Sequence, residues 1–333
     1  MTTARLYPIV EKRLGGYIDR DGAVVVAPQY KFVDVFHDGL GRVKGPKGFG
    51  YIDATGAEVI APTIAEAHWF VDGLAKAKRG KAYGYIGRDG AFAIAPRFGQ
   101  CEAFHEGFAI AQDAKTLLHG VIDRHGDWVI APRERGDLAF FEGLAARVDP
   151  ATGRFGYVDA TDRFVIDARF DWAEPFSEGL ARVDDNGTGR FIDREGRVVI
   201  AEAYGPLDGN ELNAFKEGLA LVSLPDSTYG YLDRQGALAI SARPGRAANF
   251  REGRAVAGSD DDPNSFTKWG YIDARGEYVV RPVLYNAGHF EGGLARAHAD
   301  RKREHVYGYI DRDGRWVWQP AGGFAPEMQD LRP

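Results

Sequence analysis

Short apolar runs bounded by Gly, Asp and Pro follow one another along the whole chain, and none carries the 3.6-residue stripe of an amphipathic helix. Val24-Val25-Val26, Val59-Ile60 and the alternating Gly179-Leu180-Ala181-Arg182-Val183 have the β-branched or period-two pattern of strands. The pattern predicts an all-β protein. The runs are phased as well: Gly-aromatic-Ile-Asp recurs with the residue after its glycine at Tyr17, Tyr51, Tyr85, Val121, Tyr157, Phe191, Tyr231, Tyr271 and Tyr309. These nine anchors are separated by 34, 34, 36, 36, 34, 40, 40 and 38 residues. A period in that range marks a repeat architecture and needs no domain boundary.

Each repeat carries the same punctuation. The anchor segment ends in Asp-x-x-Gly, as in Asp19-Arg20-Asp21-Gly22, which suits a type I turn closed by a left-handed residue. A β-branched run follows, with Pro28, Pro62, Pro96, Pro132, Pro282 or Pro320 eleven residues after the anchor, where proline ends a strand or marks an edge. Next comes a phenylalanine four residues before the Leu position: Phe36, Phe70, Phe104, Phe140, Phe176, Phe215, Phe250 and Phe290. One large aromatic per repeat at fixed phase is read as packing between stacked sheets.

Length varies at two places. The anchor-to-Leu distance is 23 residues except from Phe191 to Leu219, where 28 leave five extra around Tyr204 to Asn213. The Leu-to-anchor connection varies throughout. From the Leu position to the next anchor the count is 11, 11, 13, 13, 11, 12, 17 and 15, so the variable segments are hairpin tips on one face. Such loops often carry binding. The last repeat stops where its Gly-Leu-Ala would begin, while Leu6 stands eleven residues before Tyr17, as Leu40 does before Tyr51. Residues 5–11 are therefore expected to close the terminal repeat. The expected fold is a single closed β-propeller over 1–333, with nine blades of about 37 residues and a tail, 321–333, completing the last unit. Eight blades plus a cap is the alternative, and an open β-solenoid the third.

Lys268-Trp269-Gly270-Tyr271-Ile272-Asp273 and Lys47-Gly48-Phe49-Gly50-Tyr51-Ile52-Asp53 resemble the WG (KWG) repeat family of bacterial proteins. The resemblance runs along nearly the whole chain. It departs where Phe49, Tyr83, Phe155, Tyr229 and Tyr307 replace the Trp, where His119, Gly15 and Gly189 stand there instead, and where Arg190 replaces the glycine. It implies a repeat domain that binds rather than catalyses, with no catalytic residues to carry over.

Composition refines this picture. Glycine reaches 43 of 333 residues, about twice the usual share, and most copies fall at the fixed turn and anchor positions. The net charge of −6 argues against nucleic acid or an anionic membrane as partner. A single cysteine, Cys101, excludes an internal disulfide and, with no activating context, reads as a small core or surface residue. No signal peptide or membrane-spanning run is seen, so a cytoplasmic monomer is expected.

The chemistry-bearing residues follow the repeat. Asp19, Asp53, Asp123, Asp159, Asp193, Asp233, Asp273 and Asp311 are read as turn formers rather than metal ligands. Asp38, Asp72, Glu106, Glu142, Glu178, Glu217 and Glu252, before Gly-Leu-Ala, are expected to accept backbone or Arg hydrogen bonds. Two residues after the Leu position stand the cations Arg42, Lys76, Arg182 and Arg296, which either face one mouth of a channel or are solvated strand positions. The irregular loops add Tyr204, Asn210, Asp260, Asp261, Asp262, Arg301, Lys302 and Arg303 as binding candidates. The expectation is a non-enzymatic scaffold without metal or cofactor, holding an unidentified protein or peptide through the long hairpins. A small-anion or carbohydrate binder is the alternative. So is an enzyme at the channel, for which Glu211, His119 and His305 are the non-repeat candidates.

Overall fold

The computed structural model describes residues 5–134, 138–203, 214–224, 228–243, 246–259, 268–299 and 306–333. Among these residues every regular element is a β-strand, apart from one 3₁₀ turn at Pro326–Met328. No helix among them is long and apolar enough to cross a membrane.

The second repeat shows the plan. A Phe strand (Phe32–His37), a Leu strand (Leu40–Lys44), an anchor strand (Phe49–Ile52) and a Pro strand (Glu58–Ile64) form an antiparallel meander in chain order. Arg42 pairs with Tyr51 and Lys44 with Phe49 across the central hairpin. The glycine before each anchor has a steric cause. The Pro strand bulges over the anchor strand, pairing Phe49 with Ile64 but Tyr51 with Ile60. A Cβ on Gly50 would lie 2.4 Å from the carbonyl oxygen of Ile60. Pro28, Pro62, Pro132 and Pro282 sit inside bulged strands at sheet edges, where proline's missing donor costs no ladder hydrogen bond; Pro96 lies in Phe92–Cys101, and Pro320 follows the end of Trp316–Trp318.

The sheets begin before the anchor, at the Phe strand or, in the first, fifth and eighth repeats, at the Leu strand, and this corrects one expectation. Tyr7–Glu11 pairs with Leu14–Ile18, as the Leu strand of the second repeat pairs with its anchor strand. It thus belongs to the first sheet, with Val24–Tyr30, and does not complete the last one. The first sheet consequently has three strands and lacks a Phe strand. At the other terminus, residues 321–333 form no strand. Phe324, Met328 and Leu331 bury against Val280, Leu284 and Phe290, and the Arg281 N–H donates to the Leu331 carbonyl.

The chain divides into two compact units, 1–147 with 157–165 and 148–156 with 166–333. The first holds the three-stranded first sheet, the second sheet and a seven-stranded sheet from Ala67–Val71 to Trp128–Arg133. That sheet fuses the third and fourth repeats, because Phe92–Cys101 is long enough to pair on both sides. The second unit holds four sheets, starting at Trp172–Ala173, Phe215–Lys216, Ala255–Ser259 and Asn286–Ala287. The strands Ala145–Val148, Phe155–Val158 and Phe164–Phe170 carry the fifth repeat.

Within each unit the anchor aromatic of one repeat packs on the phenylalanine of the next. Ring centroids lie 5.4 Å apart for Tyr17–Phe36, 4.8 Å for Tyr51–Phe70, 4.7 Å for Tyr85–Phe104, 4.9 Å for Phe191–Phe215 and 5.0 Å for Tyr231–Phe250. All eight phenylalanines are at most 3% exposed, as packing residues should be. The anchor hydroxyl reaches the next repeat as well. Tyr17 donates to the Asp34 carbonyl at 2.9 Å, Tyr51 to that of His68, and Tyr85 to that of Glu102 at 2.6 Å. Burial pushes these phenols well above their ordinary pKa, so they remain donors at any ordinary pH.

Candidate binding surface at the hairpin ends

Each sheet has two ends. The turn end carries the Phe-to-Leu turn and the Asp turn. The hairpin end carries the tip between the Leu and anchor strands.

At the turn end the chemistry is repetitive. Every one of the eight turn aspartates accepts the backbone N–H groups two and four residues on through one carboxylate oxygen; for Asp19 the donors are Asp21 and Ala23, both at 2.9 Å. These carboxylates are turn formers. The acids before Gly-Leu-Ala work between repeats. Glu106 accepts the N–H groups of Glu142 and Gly143 at 2.7 and 2.8 Å. Glu178 takes those of Glu217 and Gly218, and Glu217 takes those of Glu252 and Gly253. Asp38 and Asp72 each accept one, from Gly73 and Gly107. The expected backbone hydrogen bonds are there for these acids, and they link their repeats to the repeats that follow. Each acid holds a left-handed φ near 50° to do so. Arginines add to the link: Arg88 donates to the Asp38 carbonyl and Arg234 to that of Glu178.

At the hairpin end the repeats differ. The four cations two residues after the Leu position do not share one environment. In the first unit the Arg42 guanidinium bonds Asp34 and the Ala67 carbonyl, both at 2.7 Å. Its Cζ lies 5.1, 5.2 and 5.8 Å from the rings of Phe49, Phe32 and Trp69. Lys76 stands 5.8 Å from the Tyr83 ring and 3.9 Å from Glu102. In the second unit Arg296 is exposed over Tyr307, 4.9 Å from its ring. Arg182 has Gly189 where the others have a ring; its side chain is 2% exposed and pairs with Asp184 at 2.8 Å. The cations thus cover the aromatic at the Trp position of their own repeat, or, where that ring is missing, find a carboxylate. Tyr204, Asn210, Asp260, Asp261, Asp262, Arg301, Lys302 and Arg303 lie outside the described residues, as do Glu211 and His305.

The structure also brings forward residues that repeat phasing passed over. Trp69 occupies the place of Val35, Ala103 and Ala139, is 41% exposed and stacks on His37 at 5.3 Å. Phe32, at the other end of the strand from His37, is equally exposed. A tryptophan at a position that the other repeats fill with Val, Ala, Pro, Asn or His was the available signal. His68, edge-on to Trp69, is held below the usual imidazole pKa by burial and by the charges of Lys76 and Arg42. Cys101 is 2% exposed, and burial pushes its thiol up to about 11, which keeps it unreactive. Among the described residues no three His, Cys, Asp or Glu side chains converge as a metal set.

A family model described as "WG containing repeat" matches residues 16–44, 49–81, 83–114, 155–188 and 269–298. No curated relative matches the sequence. Among solved structures the chain is similar to the computationally designed Ika8 protein at 12% identity, over 80% of this chain and 91% of that one, with a TM-score of 0.46. It is similar to a eukaryotic initiation factor at 11%, over 84% and 99%, with a TM-score of 0.45. BamB from Moraxella catarrhalis follows at 12%, over 90% and 95%, with a TM-score of 0.38.

Proposed function

Because the chain belongs to the WG-repeat family, we propose that it is a non-enzymatic scaffold: a closed β-propeller of nine blades that holds a protein or peptide on the hairpin ends of its sheets. One observation carries this reading, the contrast between the ends. The turn end spends its polar side chains on its own backbone and on the next repeat, leaving little to recognise a ligand. The hairpin end varies in length and sequence from repeat to repeat and exposes Phe32 and Trp172. Exposed aromatics beside charged groups are the composition of protein interfaces. A rigid framework carrying unlike loops is also the usual division of labour in binding proteins.

Photo-crosslinking in the producing cell tests the reading. A photoreactive residue is placed at Lys47 or Asn186 on hairpin tips, and at Arg20 or Arg275 in Asp turns. Protein adducts at the tips and none at the turns are expected. Adducts equally frequent at both ends would overturn it.

A further inference from the structure

We infer that the hairpin ends of the first three sheets form a cationic docking surface for an acidic peptide segment of a partner protein; this rests on the binding role proposed for the hairpin ends and names its chemistry. The tips bear Lys12 and Arg13 in the first sheet, Lys44 and Lys47 in the second, and Arg79 and Lys81 in the third. All six are exposed, and none has a carboxylate partner among the described residues. The acids beside them are Glu11 and Glu66, and Glu66 is taken up by Lys78 and the Tyr83 hydroxyl. The chain as a whole has a net charge of −6, and described tips further along mix the signs: Asp113 with Lys115, Asp149 with Arg154, and Asp184 and Asp185 with Arg190. The cations are therefore concentrated against the trend of the molecule.

The three tips point the same way. Tyr7–Glu11 packs on Phe32–His37, which packs on Ala67–Val71. The hydroxyls of Tyr17 and Tyr51 meet equivalent carbonyls, those of Asp34 and His68, so the sheets follow one another in the same orientation.

Backbone strain supplies a second, independent observation. The first hairpin is a two-residue turn with both central residues left-handed, Lys12 at φ 50° and Arg13 at φ 69°. That geometry favours Asn-Gly, and the sixth repeat uses it: Asn186 at φ 51° and Gly187 at φ 77°. A Lys-Arg pair there is strained, and strain at a loop tip points to a demand other than stability.

The occupant is a peptide rather than a nucleic acid for two reasons. Base stacking needs open ring faces, and here cations already cover them: Arg42 over Phe32 and Phe49, Lys44 over Phe49, Lys78 over Tyr83, Arg79 over Phe92. A long polyanion would also meet the acidic remainder of the molecule. A short acidic segment feels only the charges within about a Debye length, ~8–10 Å.

The test uses the full chain and fluorescein-labelled oligoglutamate, with oligoglutamine and oligothymidylate as comparison probes, read by anisotropy at low and physiological salt. Saturable, salt-sensitive binding of oligoglutamate alone is expected. The combination K12E/R13E/K47E should weaken it at least tenfold, and R20E, at the turn end of the first sheet, less than twofold. The pair Lys12→Asn/Arg13→Gly installs the ordinary turn, so it should raise the melting temperature while weakening binding severalfold, which separates recognition from folding. Equal binding of oligoglutamine, tighter binding of oligothymidylate, no binding, or unchanged affinity in both tip variants overturns the inference. Should oligoglutamate fail while protein adducts still form at the tips, the acidic chemistry falls and the scaffold reading stands.

Discussion

The two ends of each sheet are built under different rules. At the turn end the same hydrogen bonds recur from Asp19 to Asp311, and the carboxylates of Glu106, Glu178, Glu217 and Glu252 bind the backbone of the following repeat. At the hairpin end even the four position-matched cations differ, from the exposed Arg296 to Arg182 at 2% side-chain exposure. Repeats must pass a common interface to their neighbours, so uniformity marks the stacking surface. Divergence marks the surface free of that duty, and there function can reside.

The largest expected effect tests the stacking side. Phe104→Ala empties a site that is 1% exposed and 4.7 Å from the Tyr85 ring, and should cost about 3–5 kcal/mol in urea unfolding. Trp172→Ala removes a larger side chain at the hairpin end, but that residue is 49% exposed, so a loss below about 1 kcal/mol is expected. Comparable losses would erase the distinction. Next comes Glu106→Ala, which strips two N–H groups of their acceptor and should cost about 1–2 kcal/mol, the low end of the range because water replaces the carboxylate.

Two pH effects are smaller. Hydrogen bonding from Arg133, with the charges of Arg133 and Arg147, holds Asp162 below the usual carboxylate range. Its folded pKa being depressed, the stabilisation is complete above the unfolded-state value of ~3.9 and is lost as pH falls through the folded value. Asp162→Asn should therefore flatten the acid limb of a stability profile below about pH 4. At the hairpin end, His68 should titrate below ~6.5 by NMR, and Lys76→Met should raise its midpoint by relieving one of its repelling charges. An unmoved midpoint would leave burial as its cause.

Much of this was legible in the sequence. Turn aspartates announce themselves by Asp-x-x-Gly, and a phenylalanine at constant phase announces a packing layer. Other features depend on information a phased alignment lacks. A periodic sequence reads the same wherever its unit is cut, so the anchor spacing could not say that sheets start at Phe32 rather than Tyr17, or that Tyr7–Glu11 belongs to the first sheet. The acids were visible, but their reach into the next repeat is a matter of three-dimensional stacking. Arg42, Lys76 and Arg296 read as cations open to a ligand because their ring partners are seven to eleven residues away and meet them only through the strand register. Trp69 and the Lys12–Arg13 turn break the pattern, and a search for regularity passes over such breaks.

The most direct test of the two-ended account measures stability and oligoglutamate affinity on the same pair of variants, Glu106→Ala and Lys47→Glu. The account predicts opposite profiles: Glu106→Ala lowers the melting temperature and leaves affinity unchanged, whereas Lys47→Glu weakens affinity and leaves the melting temperature unchanged. Both properties moving together in either variant would contradict it.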